Sequence, residues 1–172
     1  LMQTNEKNIY AIGDVTGPPW LAHKASHEGI ICIDHIIGNK KIHKLDKTNI
    51  PGCTYSRPQI ASIGLTEEQA KAKGIEINIG KFPFNANGKA LASSEEEGFI
   101  KTIFDKNTGE LLGAHLVGAE VTELLSTYIV GKGLETTPDE FLSNIFPHPT
   151  MSEMLYESVL SSESKCIELN EI

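Results

Sequence analysis

Apolar and polar residues along this chain recur with two different periods. Ile75, Ile77 and Ile79 fall on every second position, the spacing of a strand with one buried face. Residues 53–56, 60–65, 99–104 and 111–117 predict four further strands. Asp105-Lys106-Asn107-Thr108-Gly109 joins the last two with hairpin chemistry, Gly109 being suited to positive φ. Thr66-Glu67-Glu68-Gln69 is a capping-box pattern, predicting a helix that runs to Lys73 and stops at Gly74. Helices are also predicted over 120–132, 138–144 and 151–160. Thr137-Pro138-Asp139-Glu140 offers an N-cap, a proline at the first helical position and an acid at the third.

The first fifty residues read differently. Residues 9–12 are a short apolar run fit for a strand buried on both faces, ending in Gly13-Asp14. Thr16-Gly17-Pro18-Pro19 breaks the chain. Between Trp20 and Ile37, Gly29 is the single breaker, and Leu21, Ala25, Ile30, Ile33 and Ile37 fall roughly on one face of a predicted helix. Gly38-Asn39 ends it, residues 40–50 form a polar linker, and Pro51-Gly52 opens a second unit. The predicted fold class is α+β: a mainly antiparallel sheet with flanking helices over 51–172, preceded by one strand and one helix over 1–39. A strand so early needs neighbours that residues 15–50 do not supply, so the chain reads as part of something longer.

Charge narrows the function classes. The 172 residues carry 15 Lys+Arg against 23 Asp+Glu, a formal net charge of −8, and the acidic excess lies beyond residue 100. No basic tail is present, which argues against nucleic acid or an anionic membrane surface as partner. No apolar run is long enough to cross a bilayer. Cys32, Cys53 and Cys166 form neither a CxxC pair nor a zinc ligand spacing, the simple reading being free thiols in a reducing compartment.

Two places could carry chemistry. Asp14 follows the predicted strand, where ligands bind in open α/β sheets, and the helix after it would aim its amino end at the same point. The alternative is that Asp14 makes a turn with Thr16 and Gly17. Further on, Phe146-Pro147-His148-Pro149-Thr150-Met151-Ser152-Glu153 holds a histidine between two prolines, with a carboxylate five residues on. A carboxylate bonded to an imidazole fixes its tautomer and makes the pair a candidate general acid/base. The same residues also spell a capping box, in which Glu153 only caps its helix. His23 and His27, four apart, lack further ligands for a metal, and no metal is assigned. His115 is expected to pack in or near an interface. His35 and His43 are expected at the surface, and Cys166 in a polar tail.

With these motifs in place, the chain resembles the C-terminal part of the dihydrolipoamide dehydrogenases, in the family of pyridine nucleotide-disulfide oxidoreductases. Gln3-Thr4-Asn5 with residues 9–14 looks like that family's second FAD fingerprint. Leu21-Ala22-His23-Lys24-Ala25 matches the helix abutting the flavin and differs from glutathione reductases. Residues 58–67, Phe84-Asn85-Ala86-Asn87, residues 98–101, Gly113-Ala114-His115 and His148-Pro149-Thr150 with Ser152-Glu153 continue the resemblance through the dimerisation domain. The resemblance implies that Asp14 binds the ribityl hydroxyls of FAD. Ala22, by its backbone amide, would face the flavin pyrimidine carbonyl. His148 would deprotonate the dihydrolipoamide thiol, oriented by Glu153, with the pair serving the other subunit of a homodimer. The His148–Pro149 bond would be cis.

Residues 1–39 would then be the end of an FAD-binding domain and 51–172 the dimerisation domain. The intact protein would use FAD and NAD, meet a lipoyl-bearing acyltransferase, and work in the cytoplasm or a mitochondrial matrix. The amino-terminal GxGxxG, the CxxxxC redox disulfide and the NAD-binding domain are not in these 172 residues, so this chain is expected to be inactive alone. The alternatives are a non-catalytic dimerisation module, or a related flavin disulfide reductase for glutathione or mercuric ion.

Overall fold

A computed structural model describes residues 1–42 and 44–167; His43 lies outside them. The chain divides into two compact units, Leu1–Ile50 and a second from Pro51 on.

In the first unit, Gln3 and Tyr10 form an isolated antiparallel bridge, followed by a 3-10 turn over Gly13–Thr16 and helix α1, Ala22–Ile36. Two expectations fail here. Residues 9–12 do not form a strand, and Ile9 and Ile12 are exposed. A strand needs edges to satisfy its amides and carbonyls, and among the described residues this stretch has one short edge, with the Thr4 amide on the Ile9 carbonyl and the Ala11 amide on the Met2 carbonyl, each at 2.9 Å. The predicted apolar face of α1 is not its buried face either: Ile30, Ile33 and Ile37 are exposed, whereas Lys24, Glu28 and Cys32 are buried. The polar turn before the helix packs on its charged side. His35, expected at the surface, is half-buried edge-on against Tyr10.

The second unit is built on strands β1 (Gly52–Thr54), β2 (Gln59–Gly64), β3 (Ile77–Pro83), β4 (Phe99–Asp105) and β5 (Leu111–Gly118). They form one sheet in the order β1-β2-β5-β4-β3, antiparallel throughout. Helix α2 (Glu67–Ala72) starts on the predicted capping box: Gln69 donates its amide to Thr66 Oγ1 over 3.2 Å, and Thr66 its amide to Gln69 Oε1 over 3.0 Å. Helix α3 (Gly88–Ala92) was not predicted; Asn87 caps it by accepting from the Ala90 amide at 2.9 Å. The helix predicted over 120–132 is two, α4 (Val121–Leu124) and α5 (Ser126–Gly133), entered through Glu120 at φ 58°. Helices α6 (Pro138–Leu142) and α7 (Glu153–Ser162) complete the unit.

The central strand β5 is buried at most positions because both faces of the sheet are covered there. Leu111, Ala114 and Leu116 join Phe82, Phe84, Ile100, Phe104, Tyr128, Met154 and Leu155 in the main core. Leu112 joins Ile103 and Ala70 of α2 on the other side. A bulge, with Ile103 opposite Gly113 and Phe104 opposite Leu111, shifts the alternation so that Leu111, and not Leu112, joins the core of Ala114 and Leu116. Helix α7 packs on β3 and β4. Its Ser158 carbonyl lies so close to Gly80 that a Cβ there would fall on it. Thr102 donates its hydroxyl to the same carbonyl at 3.2 Å, and the Tyr128 hydroxyl bonds Ser158 Oγ at 2.8 Å.

Gly80→Ala is expected to lower unfolding free energy by about 3 kcal/mol, read from urea denaturation. A loss under about 1 kcal/mol would mean that α7 shifts freely on the sheet. A second expectation concerns acid. Lys101 bonds Glu67 at 2.7 Å and holds its carboxyl below the ordinary 4.5. That contribution is complete above about 4.5 and is lost as pH falls through the depressed folded value. Lys101→Met should therefore flatten the loss of stability in acid, measured by urea unfolding across that range.

Candidate active site

The acid/base candidate forms where the chain turns into α7. Phe146 anchors the approach, its ring 5.8 Å from that of Tyr156. The His148–Pro149 bond is cis. Thr150 then closes the turn, donating its hydroxyl to the Pro147 carbonyl at 2.6 Å and meeting Ser152 Oγ at 2.8 Å. Glu153, in the first turn of α7, stands at the positive end of the helix dipole.

Its two carboxylate oxygens have different partners. Oε1 lies 2.9 Å from His148 Nδ1, and Oε2 accepts the Thr150 amide at 2.8 Å. The imidazole is 74% exposed and the carboxylate 19%. Nδ1 faces an acceptor-only group when Glu153 is ionised, so it carries the proton and leaves Nε2 as a lone-pair base open to solvent. The arrangement can accept a proton at Nε2 and stabilise the resulting imidazolium. Thr150, read from sequence as the first residue of a capping box, gives its amide to Glu153 as that box requires, but its hydroxyl goes to Pro147 and Ser152.

Asp14 and Ala22 lie in the first unit. Asp14 is exposed on the Gly13–Thr16 turn, and its carboxylate makes no hydrogen bond among the described residues. Its backbone carbonyl accepts from Gly17, as the turn reading had it. Ala22 is the first residue of α1 and exposed. The turn is held to the helix by a buried ion pair, Lys24 Nζ to Glu28 Oε1 at 3.2 Å, with side chains 2% and 3% exposed. Lys24 also donates to the carbonyls of Gly13 and Gly17 and to Thr16 Oγ1, while Glu28 accepts the Gly13 amide at 2.7 Å and the Thr16 hydroxyl at 2.9 Å. Burial alone would raise the Glu28 carboxyl; those bonds outweigh it and hold the group below the ordinary range. The signal for this pair was the Lys–Glu spacing of four on a predicted helix.

The remaining candidates fall elsewhere. Among the described residues, no three of His, Cys, Asp and Glu come together to hold a metal ion. No helix among them is long and apolar enough to cross a membrane. His115 Nε2 sits 3.0 Å from the Leu65 carbonyl, inside the second unit. Cys166, expected in a polar tail, is half-buried and donates to Glu157 at 3.1 Å. Burial pushes the Cys53 thiol up, away from the reactive thiolate.

Residues 50–159, which include both His148 and Glu153, match the family model of the pyridine nucleotide-disulphide oxidoreductase dimerisation domain. This chain belongs to that family. The dihydrolipoyl dehydrogenase of Rhizobium etli is 56% identical to it over 165 residues, covering 96% of this chain and 34% of that protein. The dihydrolipoyl dehydrogenase of Zymomonas mobilis is 54% identical, covering 96% and 35%. The crystal structure of LpdA from Mycobacterium tuberculosis superposes with a TM-score of 0.87 at 25% identity, covering 92% of this chain and 34% of that one. The chain thus spans about a third of the length of the curated relatives it matches. In this dimerisation domain the open antiparallel sheet with flanking helices is the family fold, as the sequence led us to expect.

Truncation separates the two duties of Glu153. Glu153→Ala removes the acceptor of a partly buried amide and the charge at the helix start, and should cost about 1–2 kcal/mol. His148→Ala, at an exposed ring, should stay within about 0.5 kcal/mol of the parent. Urea denaturation of both variants checks this; equal losses would make His148 a structural residue.

Proposed function

We propose that this chain supplies the dimerisation domain and the acid/base pair of a dihydrolipoyl dehydrogenase, a flavoprotein that oxidises dihydrolipoamide and reduces NAD. The observation that carries the reading is the Glu153–His148 bond at 2.9 Å on an imidazole whose other nitrogen is open to solvent. In thiol–disulfide exchange the thiolate is the nucleophile, so a base beside the entering thiol is needed. Nε2 takes the proton of one dihydrolipoamide thiol. The thiolate left behind attacks one sulfur of a redox disulfide carried outside this chain; that S–S bond breaks, its other sulfur leaves as a thiolate, and a mixed disulfide with the substrate forms. Glu153 holds the imidazole in the receptive tautomer and compensates the imidazolium while it exists.

The family's dimeric habit supports placing this pair across a subunit interface, where it serves the disulfide of the other copy. Asp14 and the start of α1 fit a flavin nucleotide: an exposed carboxylate that can accept from hydroxyl groups, in the same unit as the positive end of a helix dipole. In this reading FAD, held by Asp14 and the start of α1, would supply the electron transfer from the reduced dithiol to NAD. Residues 1–39 complete an FAD-binding domain, the exposed Ile30, Ile33, Ile36 and Ile37 being the face that domain covers. Residues 51–172 are the interface domain, joined by the linker over 40–50. A lipoyl-bearing acyltransferase is the macromolecular partner.

His148→Ala in the intact flavoprotein is expected to lower dihydrolipoamide-dependent NADH formation by about 10²–10⁴-fold, with the dimer unchanged in sedimentation. Full turnover in that variant would leave only a dimerisation module. The 172-residue chain by itself should sediment as a dimer at micromolar concentration, and a monomer throughout would remove the dimer from the proposal.

A further inference from the structure

One buried side chain ties the acid/base turn to the rest of its unit. Asn87 is 1% exposed, and both ends of its amide are engaged. Its Oδ1 accepts the Ala90 amide at 2.9 Å as the N-cap of α3. That bond fixes which end of the carboxamide is oxygen, because an amide N–H needs an acceptor. Nδ2 is thereby turned to the Thr150 carbonyl, 3.2 Å away and 63 residues on in the chain. Thr150 in turn gives its amide to Glu153 Oε2 and its hydroxyl to Pro147. Among the described residues, the Asn87 bond is the hydrogen bond that joins residues 147–150 to a side chain outside the segment 147–153.

We propose that Asn87 is a positioning residue for the His148–Glu153 pair: it clamps the Thr150 peptide so that the Thr150 amide holds Glu153 with its other oxygen aimed at Nδ1. The inference rests on the functional reading above. Aiming matters because an exposed imidazole is otherwise free to rotate and to take the other tautomer, with its proton on the nitrogen that must act as base. An error of an ångström in such a constellation costs orders of magnitude in rate. A cap alone would require an oxygen at position 87; the clamp also requires the N–H donor, so the two roles demand different chemistry of one side chain.

The test compares Asn87→Ser, which keeps a capping oxygen and drops the donor, with Glu153→Gln. Imidazole ¹⁵N spectra of the 172-residue chain report which His148 nitrogen carries the proton. The parent should show chiefly the Nδ1–H form. Glu153→Gln should move it toward Nε2–H, Asn87→Ser should move it the same way, and the double variant should move no further than Glu153→Gln. In the intact enzyme Asn87→Ser should lower kcat about tenfold with KM changed less than about twofold. An unaltered tautomer in Asn87→Ser beside an altered one in Glu153→Gln overturns the clamp and leaves the acid/base reading standing. An unaltered tautomer and unaltered kcat in Glu153→Gln overturn the acid/base reading itself, and the clamp with it. If Asn87→Ser does not fold, Asn87→Asp keeps the volume and the cap; failure of both to fold makes Asn87 purely structural and overturns the proposal.

Discussion

The carbonyl of Ser158 occupies the space that a side chain at position 80 would fill in any residue but glycine. This contact lets α7 lie on β3 at backbone distance, and the Thr102 hydroxyl and the Tyr128–Ser158 pair then fix where along the sheet it stops. Tyr128 is fully buried, so its hydroxyl has no water to fall back on and depends on two groups of α7, Ser158 Oγ and the Leu155 carbonyl at 3.3 Å. Ser158 lies five residues beyond Glu153 in the same helix. The depth and register of the helix therefore set the position of the carboxylate that meets His148. A rigid helix on a sheet places such a group more sharply than a loop can.

The pattern that starts α7 was open to two readings, helix cap or acid/base pair, and the geometry shows that they do not compete. A carboxylate has two oxygens and about four acceptor sites. One oxygen takes the Thr150 amide, as a cap would, and the other takes His148. Capping holds the carboxylate in one rotamer, which is the condition for aiming it at an imidazole that is itself mostly in solvent. A motif that stabilises a helix end and a motif that orients a base can be the same four residues because each uses a different lone pair.

The second unit was legible because its strands obey the period-two rule and its turns carry recognisable chemistry. The Thr66–Gln69 box and Gly109 at φ 79° act locally, and local signals survive in sequence; the alternation of Ile75, Ile77 and Ile79 pointed to β3 but not to its start or its buried face, since the strand begins at Ile77, Ile79 is exposed, and Gly80 and Phe82 are the buried positions. What escaped depends on distant residues. Helix α3 is five residues long, with too few positions to show a period, and the second bond of its cap residue, from Asn87 Nδ2 to the Thr150 carbonyl, spans 63 residues. The helix after Gly118 starts on a residue in the left-handed region and breaks at Leu125, neither of which apolar spacing reveals. The clearest failure is α1. Its isoleucines formed an apolar face by spacing, yet the buried face holds Lys24 and Glu28. Hydrophobic periodicity reports which face can be buried; what lies next to the helix decides which one is.

That buried ion pair bears on what the first unit is for. Two charges taken out of water lose several kcal/mol of solvation each, and a buried pair is weak evidence of stability. Here the loss is offset because the remaining donors and acceptors are used: three further donations from Lys24, and the Gly13 amide and Thr16 hydroxyl on Glu28. An apolar pair of similar size would fill the space at less cost but would leave the Gly17 carbonyl and the Gly13 amide without the partners they have here. The charged pair fixes the path of the turn through the Gly13 amide, the Gly13 and Gly17 carbonyls and the Thr16 hydroxyl, while the Asp14 side chain is exposed. A turn built this way spends stability on a fixed backbone path, and the charges that cost solvation are the groups that hold it.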